Sequence, residues 1–195
     1  MRPHYSIVTK SNTEPITLDQ ATAHLRVDSA DDLEYIAALI PVAREYVEDV
    51  TGQVMGQSTW LMTFESWGCA SRDVYGRIPI FRSPLVSVES VKYYAPDATE
   101  LSTLATTEYR AITTSKPGSI QIHGTFPSVD DRPDAIQVSF TAGDGCSAPA
   151  TLTHAVKMLV THLYENRMPV AFTSCQEIPY TLKTLIENNK LGGWS

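Results

Sequence analysis

Gly143-Asp144-Gly145-Cys146-Ser147-Ala148 is the stretch of this sequence that most resembles a chemical motif. Its G-x-G-x-x-A spacing is that of a dinucleotide fingerprint, where glycines let the backbone approach a pyrophosphate at a helix start. Glu165 lies 20 residues beyond Gly145, where such sites keep an acid for the ribose. Read this way, the chain is a small nucleotide-cofactor-binding enzyme using Gly143–Ala148. The context opposes that reading. The fingerprint opens a βαβ unit, yet no strand pattern follows it here. Glu165 falls at the end of a helical pattern, and Pro149 suits an ordinary strand-to-helix turn. No cofactor is expected.

The remaining reactive side chains do not converge. His154 and His162 share a helical pattern but stand eight residues apart, about 12 Å along the axis. They cannot share a metal. His162 and Glu165 have i, i+3 spacing, but no second such pair exists to complete a centre. Cys69, Cys146 and Cys175 are odd in number and lack C-x-x-C spacing. Neither a zinc site nor a disulfide framework is expected, and a reducing compartment fits. Asp31-Asp32 and Asp130-Asp131 read as a helix start and a turn. No nucleophile elbow, phosphate-cradling loop or H-E-x-x-H occurs. The expectation is a protein without catalytic residues, cofactor or metal.

The elements that carry these residues follow from periodicity. Thr17 and Gln20 have capping-box spacing, with Ile16 as a staple, so a short helix is expected over 18–26. A second helix should run from a cap at Asp28 or Ser29 to about Val50, stopped by Gly52. Pro41 removes one of its hydrogen bonds, so a kink is expected, or two helices meeting there. From Gln57 to Thr141 the period becomes two. Strands are expected around 59–64, 86–93, 109–112, 120–122 and 136–141, with a bulge near Glu89-Ser90. Turns are expected at Ala95-Pro96-Asp97 and Lys116-Pro117-Gly118. Helical spacing returns after Pro149, and a last short helix fits Pro179 to Lys190. The predicted class is α+β: a helical core built from both chain ends, with an inserted antiparallel β-sheet region. The expected divisions are 1–56 helical, 57–145 β, and 146–195 helical with a loose tail.

Composition agrees with one domain carrying an insert. The chain has 195 residues, 43 % hydrophobic and 19 % charged, which excludes a disordered chain. Its longest apolar run, Ile36–Ala43, is far shorter than a bilayer span. No apolar segment follows Met1-Arg2-Pro3-His4-Tyr5, so no signal peptide and no membrane association are expected. Net charge is −7, which argues against gripping DNA by its phosphates. Most of that charge is local: residues 28–50 hold seven acids and one base, Arg44.

The second helix therefore has three faces. Leu33, Ile36, Ala37, Ile40, Ala43 and Val47 form one apolar stripe. Tyr35, Leu39, Val42 and Tyr46 form a second, which is read as a candidate subunit interface. Glu34, Glu45, Glu48 and Asp49 share the remaining side, a wall suited to face a polyanion that must not adhere.

An ordered set of segments resembles phage head-tail connector (adaptor) proteins. It begins with Glu14-Pro15-Ile16-Thr17-Leu18-Asp19 and Ala23-His24-Leu25-Arg26-Val27-Asp28. It continues with Ala43-Arg44-Glu45-Tyr46-Val47-Glu48, Thr51-Gly52, Thr59-Trp60, Arg82-Ser83-Pro84-Leu85 and Val88-Glu89-Ser90-Val91. Phe140-Thr141-Ala142-Gly143 and His162-Leu163-Tyr164-Glu165-Asn166-Arg167 complete it, and the resemblance covers roughly residues 14–190. The sequence departs from the pattern at Pro41 and at Asp144.

The resemblance implies a homo-oligomeric ring, commonly of twelve subunits, seated under the portal of a tailed phage, prophage or gene-transfer particle. Such a ring sits at the head-tail junction of the virion, after synthesis in the bacterial cytoplasm. It extends the DNA channel, lets DNA pass without specific binding, and offers a platform to a tail-side stopper or tail-terminator protein. It implies no catalysis. Apart from the resemblance, the acidic side of the second helix, Glu34, Glu45, Glu48 and Asp49, is expected to line such a channel. The C-terminal segment, with Ile178, Leu182, Leu185 and Trp194, is expected to grip the portal. A stopper or tail-completion joining protein is the alternative within this class.

Overall fold

Thr17 opens the first helix, α1 (Leu18–Leu25). Its hydroxyl accepts from the Gln20 N–H at 3.2 Å, and the Gln20 side chain accepts from the Thr17 N–H at 3.4 Å. This is the reciprocal cap that the spacing predicts. Arg26 ends the helix in the left-handed region, with φ 57°. In this computed structural model, residues 3–68, 76–143, 145, 148–166 and 180–192 are described. They form an α+β fold of four α-helices and two antiparallel sheets. The chain divides into two units, residues 12–56 with 145–195, and residues 1–11 with 57–144.

The first unit is helical. Ser29 caps a short 3₁₀ turn (Ala30–Asp32), which leads into α2 (Leu33–Thr51), closed by Gly52 at φ 74°. Pro41 does not divide α2, which runs on as one helix. Proline deprives the Ala37 carbonyl of its intrahelical donor, and Ala37 is exposed, so water can serve that carbonyl. Helices α3 (Ala150–Glu165) and α4 (Tyr180–Asn188) complete the unit. Ile36, Ile40, Ala43 and Val47 of α2 meet Leu152, Ala155, Val156 and Leu159 of α3 in one buried cluster. Leu182 and Ile186 of α4 join it. The end of the segment is held as well: the Leu191 N–H donates to the Thr51 carbonyl at 3.0 Å, and Leu191 is buried. Leu191, where the loose tail was expected to begin, is thus held, and residues 193–195 lie outside the described residues.

The second unit is built on strands. One sheet has the order β1 (His4–Thr9), β2 (Ser58–Phe64), β8 (Ile136–Ala142), β4 (Leu85–Tyr94) and β5 (Leu101–Thr103). The other has β3 (Arg77–Ile80), β7 (Gly118–Ile122) and β6 (Tyr109–Ile112). All pairings are antiparallel. Trp60, Met62 and Phe64 alternate inward on β2 opposite Phe140, Val138 and Ile136 of β8. The register of β4 shifts between Val88 and Ser90, beside the expected bulge, and again between Leu85 and Ser87. A Cβ at Gly118 would come within 2.5 Å of the Leu85 Cβ, so glycine lets β7 approach β4.

One expectation changes here. The first residues belong to the strands and not to the helices, because His4–Thr9 pairs along the free edge of β2. This edge strand is largely exposed, so its sequence carries no alternation to announce it.

Candidate functional site

The outward face of α2 is the surface on which the sequence places most candidate residues. At 100° per residue, Tyr35, Val42 and Tyr46 fall within an arc of about 40°. They remain 36 %, 53 % and 40 % exposed, which is unusual for large apolar side chains on a helix already buried along its other stripe. Exposed Glu34 and Asp49 and half-exposed Glu45 run along one flank. The result is an apolar stripe with an acidic border. Its first turn is anchored: the Tyr35 ring lies 6.3 Å from that of Tyr164, whose hydroxyl donates to Asp32 Oδ2 at 2.6 Å.

Leu39 does not belong to that stripe. It is 9 % exposed and packs into the helical core, because it lies at the margin of the arc closest to Ala43. Glu48 is likewise removed from the acidic wall. Its side chain is only 8 % exposed and serves the fold. Glu48 Oε2 accepts from Arg44 Nη1 at 2.8 Å, and Oε1 accepts from the Met55 N–H at 2.6 Å. The Gly56 N–H reaches the same oxygen at 3.4 Å. The carboxylate thus holds the turn that leaves α2.

Arg44 is buried with it. Its Nε donates to Glu14 Oε2 at 2.9 Å, and Nη2 lies 3.6 Å from Glu45 Oε1. Burial lowers the Arg44 pKa, but the Glu14 hydrogen bond and the charges of Glu48, Glu14 and Glu45 outweigh it and raise it. Burial raises the Glu48 pKa against the opposing pull of the Met55 N–H and Arg44. The sequence reading missed this network. Its one signal is a single base among seven acids in residues 28–50.

The expected portal-gripping residues divide. Ile178 and Trp194 lie outside the described residues. Leu182 is fully buried in the helical core and Leu185 packs partly buried against it, since α4 is amphipathic and turns this face inward. Leu182 is therefore committed to the fold and is not a partner contact.

The glycine motif is only partly described, as Asp144, Cys146 and Ser147 lie outside the described residues. Its strand, β8, is antiparallel to both neighbours, and the described residues after α3 form only a helix. Among the described residues no parallel βαβ unit surrounds it, and a dinucleotide site needs that frame. The Gly143 N–H instead donates to the Pro84 carbonyl at 2.9 Å. Among the described residues, no group of three His, Cys, Asp or Glu side chains could hold a metal ion, and no helix is long and apolar enough to cross a membrane. Asn166 Nδ2 lies 3.4 Å from the His162 ring Nδ1 and donates to the His162 carbonyl at 2.8 Å.

The sequence matches no protein-family model and no curated protein. Solved structures do match over nearly the whole chain. A chain from the neck of an empty gene transfer agent particle, computed with C6 symmetry, superposes with TM-score 0.74 at 18 % identity, covering 96 % of this chain and 95 % of that one. A chain from the virion of a native gene transfer agent particle gives TM-score 0.73 at 17 % identity, with the same coverage. A chain from the neck of the native particle, computed with C12 symmetry, gives 0.67 at 18 %. At this level of identity, what the chain shares with these particle chains is their fold.

Proposed function

We propose that the chain is a structural subunit of the neck of a tailed phage or gene-transfer particle, a head-tail connector of the adaptor type. In this reading it seats as a ring, commonly of twelve copies, beneath the portal and extends the DNA channel toward a tail-side stopper or terminator protein. The observation that carries the reading is the likeness of fold to gene transfer agent neck and virion chains over 96 % of this chain. The necks concerned were computed with C6 and C12 symmetry, which suits a ring of six or twelve.

Two features of the chain support it. The exposed stripe Tyr35, Val42 and Tyr46 fits a contact between subunits. Glu34, Glu45 and Asp49 beside it fit a wall that repels passing DNA phosphates. The role is structural, and neither a cofactor nor a bound metal belongs to it.

The deciding experiment is the mass of the purified protein in solution, alone and mixed with its portal. A ring, or a monomer that becomes a ring on the portal, is the expected result. A monomer indifferent to the portal would overturn the adaptor reading in favour of a tail-side joining protein.

A further inference from the structure

Ala21 of α1 and Ala155 of α3 both belong to the buried cluster of the helical unit. At the rim of that contact each helix presents one histidine. His24 lies one turn beyond Ala21, and His154 directly precedes Ala155. Their rings stand 6.0 Å apart, centroid to centroid, with 83° between their planes. Both residues are exposed, so both rings are open to solvent. The sequence pairs His154 only with His162, two turns along the same helix and out of reach. The fold gives it His24 instead, from a different helix.

Two imidazoles on one zinc ion, each ligating nitrogen about 2.1 Å from the metal, set their centroids roughly 5 to 6.5 Å apart, depending on the angle at the metal. The observed separation falls within that range. Neither helix has to shift, and the exposed side chains need only rotate between rotamers. Imidazole nitrogens suit zinc, nickel and copper, whereas magnesium prefers oxygen donors. Among the described residues no third His, Cys, Asp or Glu completes the set, so water takes the remaining positions. Lys157 opposes the ion, because its charge acts on His24.

We propose that His24 and His154 form a two-histidine site for a divalent transition-metal ion of the zinc class, which ties α1 to α3. The tie falls where it has most effect. His24 sits in the last turn of α1, a helix of eight residues. A helix so short does not persist by itself and depends on its anchors. A metal joining its last turn to α3 holds α1 closed. The site belongs to the single subunit and is independent of the neck reading.

The test titrates zinc chloride calorimetrically into the full chain at about pH 7.5, where imidazoles are largely neutral, with magnesium chloride as the control. Hydrogen exchange of the α1 amides is followed in parallel, since a ligand of the closed form suppresses local opening. Zinc should bind saturably and slow α1 exchange, and magnesium should do neither. His24→Ala and His154→Ala should each weaken zinc binding at least about tenfold. Lys157→Gln should tighten it about threefold by removing a like charge. None of the three residues is buried, so the variants should fold as the parent does. The proposal fails if zinc leaves α1 exchange as magnesium does, or if zinc still protects α1 in both histidine variants. Zinc binding without protection of α1 puts the ion at another site and equally overturns it.

Discussion

Arg44 shows why the charge of a residue does not tell its task. It is the only base between residues 28 and 50, and it lies under the helix with two carboxylates on its guanidinium at 2.8 and 2.9 Å. Glu48 is its deeper partner and also the acceptor for the Met55 and Gly56 N–H groups. Glu48→Ala leaves an arginine short of one counter-charge and two backbone donors without their acceptor. The expected cost is about 3 kcal/mol. Glu48→Gln keeps an oxygen for the Met55 N–H and should cost less. Chemical denaturation of the two variants against the parent measures both, and equal costs would show that the backbone contacts contribute nothing. Tyr5, half-buried, is a second polar group with a structural task. Its hydroxyl accepts from the Phe81 N–H at 3.1 Å, and burial holds its pKa at about 12 against that hydrogen bond and the nearby Arg82 charge.

Between elements, the contact of α1 with α3 carries a pH dependence. The His24 ring lies 6.0 Å from that of His154. Burial first, then the charges of His154 and Lys157, lower the His24 pKa. A base lowered in this way binds fewer protons folded than unfolded, so stability falls as pH drops from about 6.5 through the folded value. The site is exposed, so the effect is modest and shrinks with added salt. The unfolding midpoint should therefore fall between about pH 7 and about pH 5 by an increment that His24→Gln removes. An unchanged slope in His24→Gln would place the dependence elsewhere. How far each element was legible has similar local causes. Thr17 and Gln20 announce α1 because a capping box is contained in four residues. The β8 strand shows its full inward alternation. By contrast, β1 is an exposed edge whose partner lies some fifty residues away, and β3 is four residues long with Pro79 in it. Proline demotes a strand in sequence, yet β3 is an edge strand, where proline is tolerated.

For the whole molecule, the stripe on α2 was legible because an apolar period on a second face needs no knowledge of tertiary contacts. What the period could not say is where the stripe ends. Leu39 and Glu48 each lie one helical position from exposed residues and are nonetheless claimed by the core and by Arg44. The exposed remainder gives a clean test of assembly. Val42→Asp combined with Tyr46→Asp touches only exposed positions and should change stability by no more than about 0.5 kcal/mol per site. It should nevertheless leave the protein monomeric where the parent forms a ring, as light scattering would show. A ring of the double variant would move the contact to another surface. A test of whether the C-terminal segment faces a portal needs point substitutions, because deleting residues 168–195 would also remove Leu182, Ile186 and Leu191 from the core. That same closure has a consequence in time. During synthesis α2 emerges long before α3 and α4 exist to cover Ile36 and Ala43, and the Thr51 carbonyl waits for Leu191. The helical unit closes only after the ribosome has made the chain through Leu191, so the subunit can meet any partner only as a finished piece and not as a nascent one.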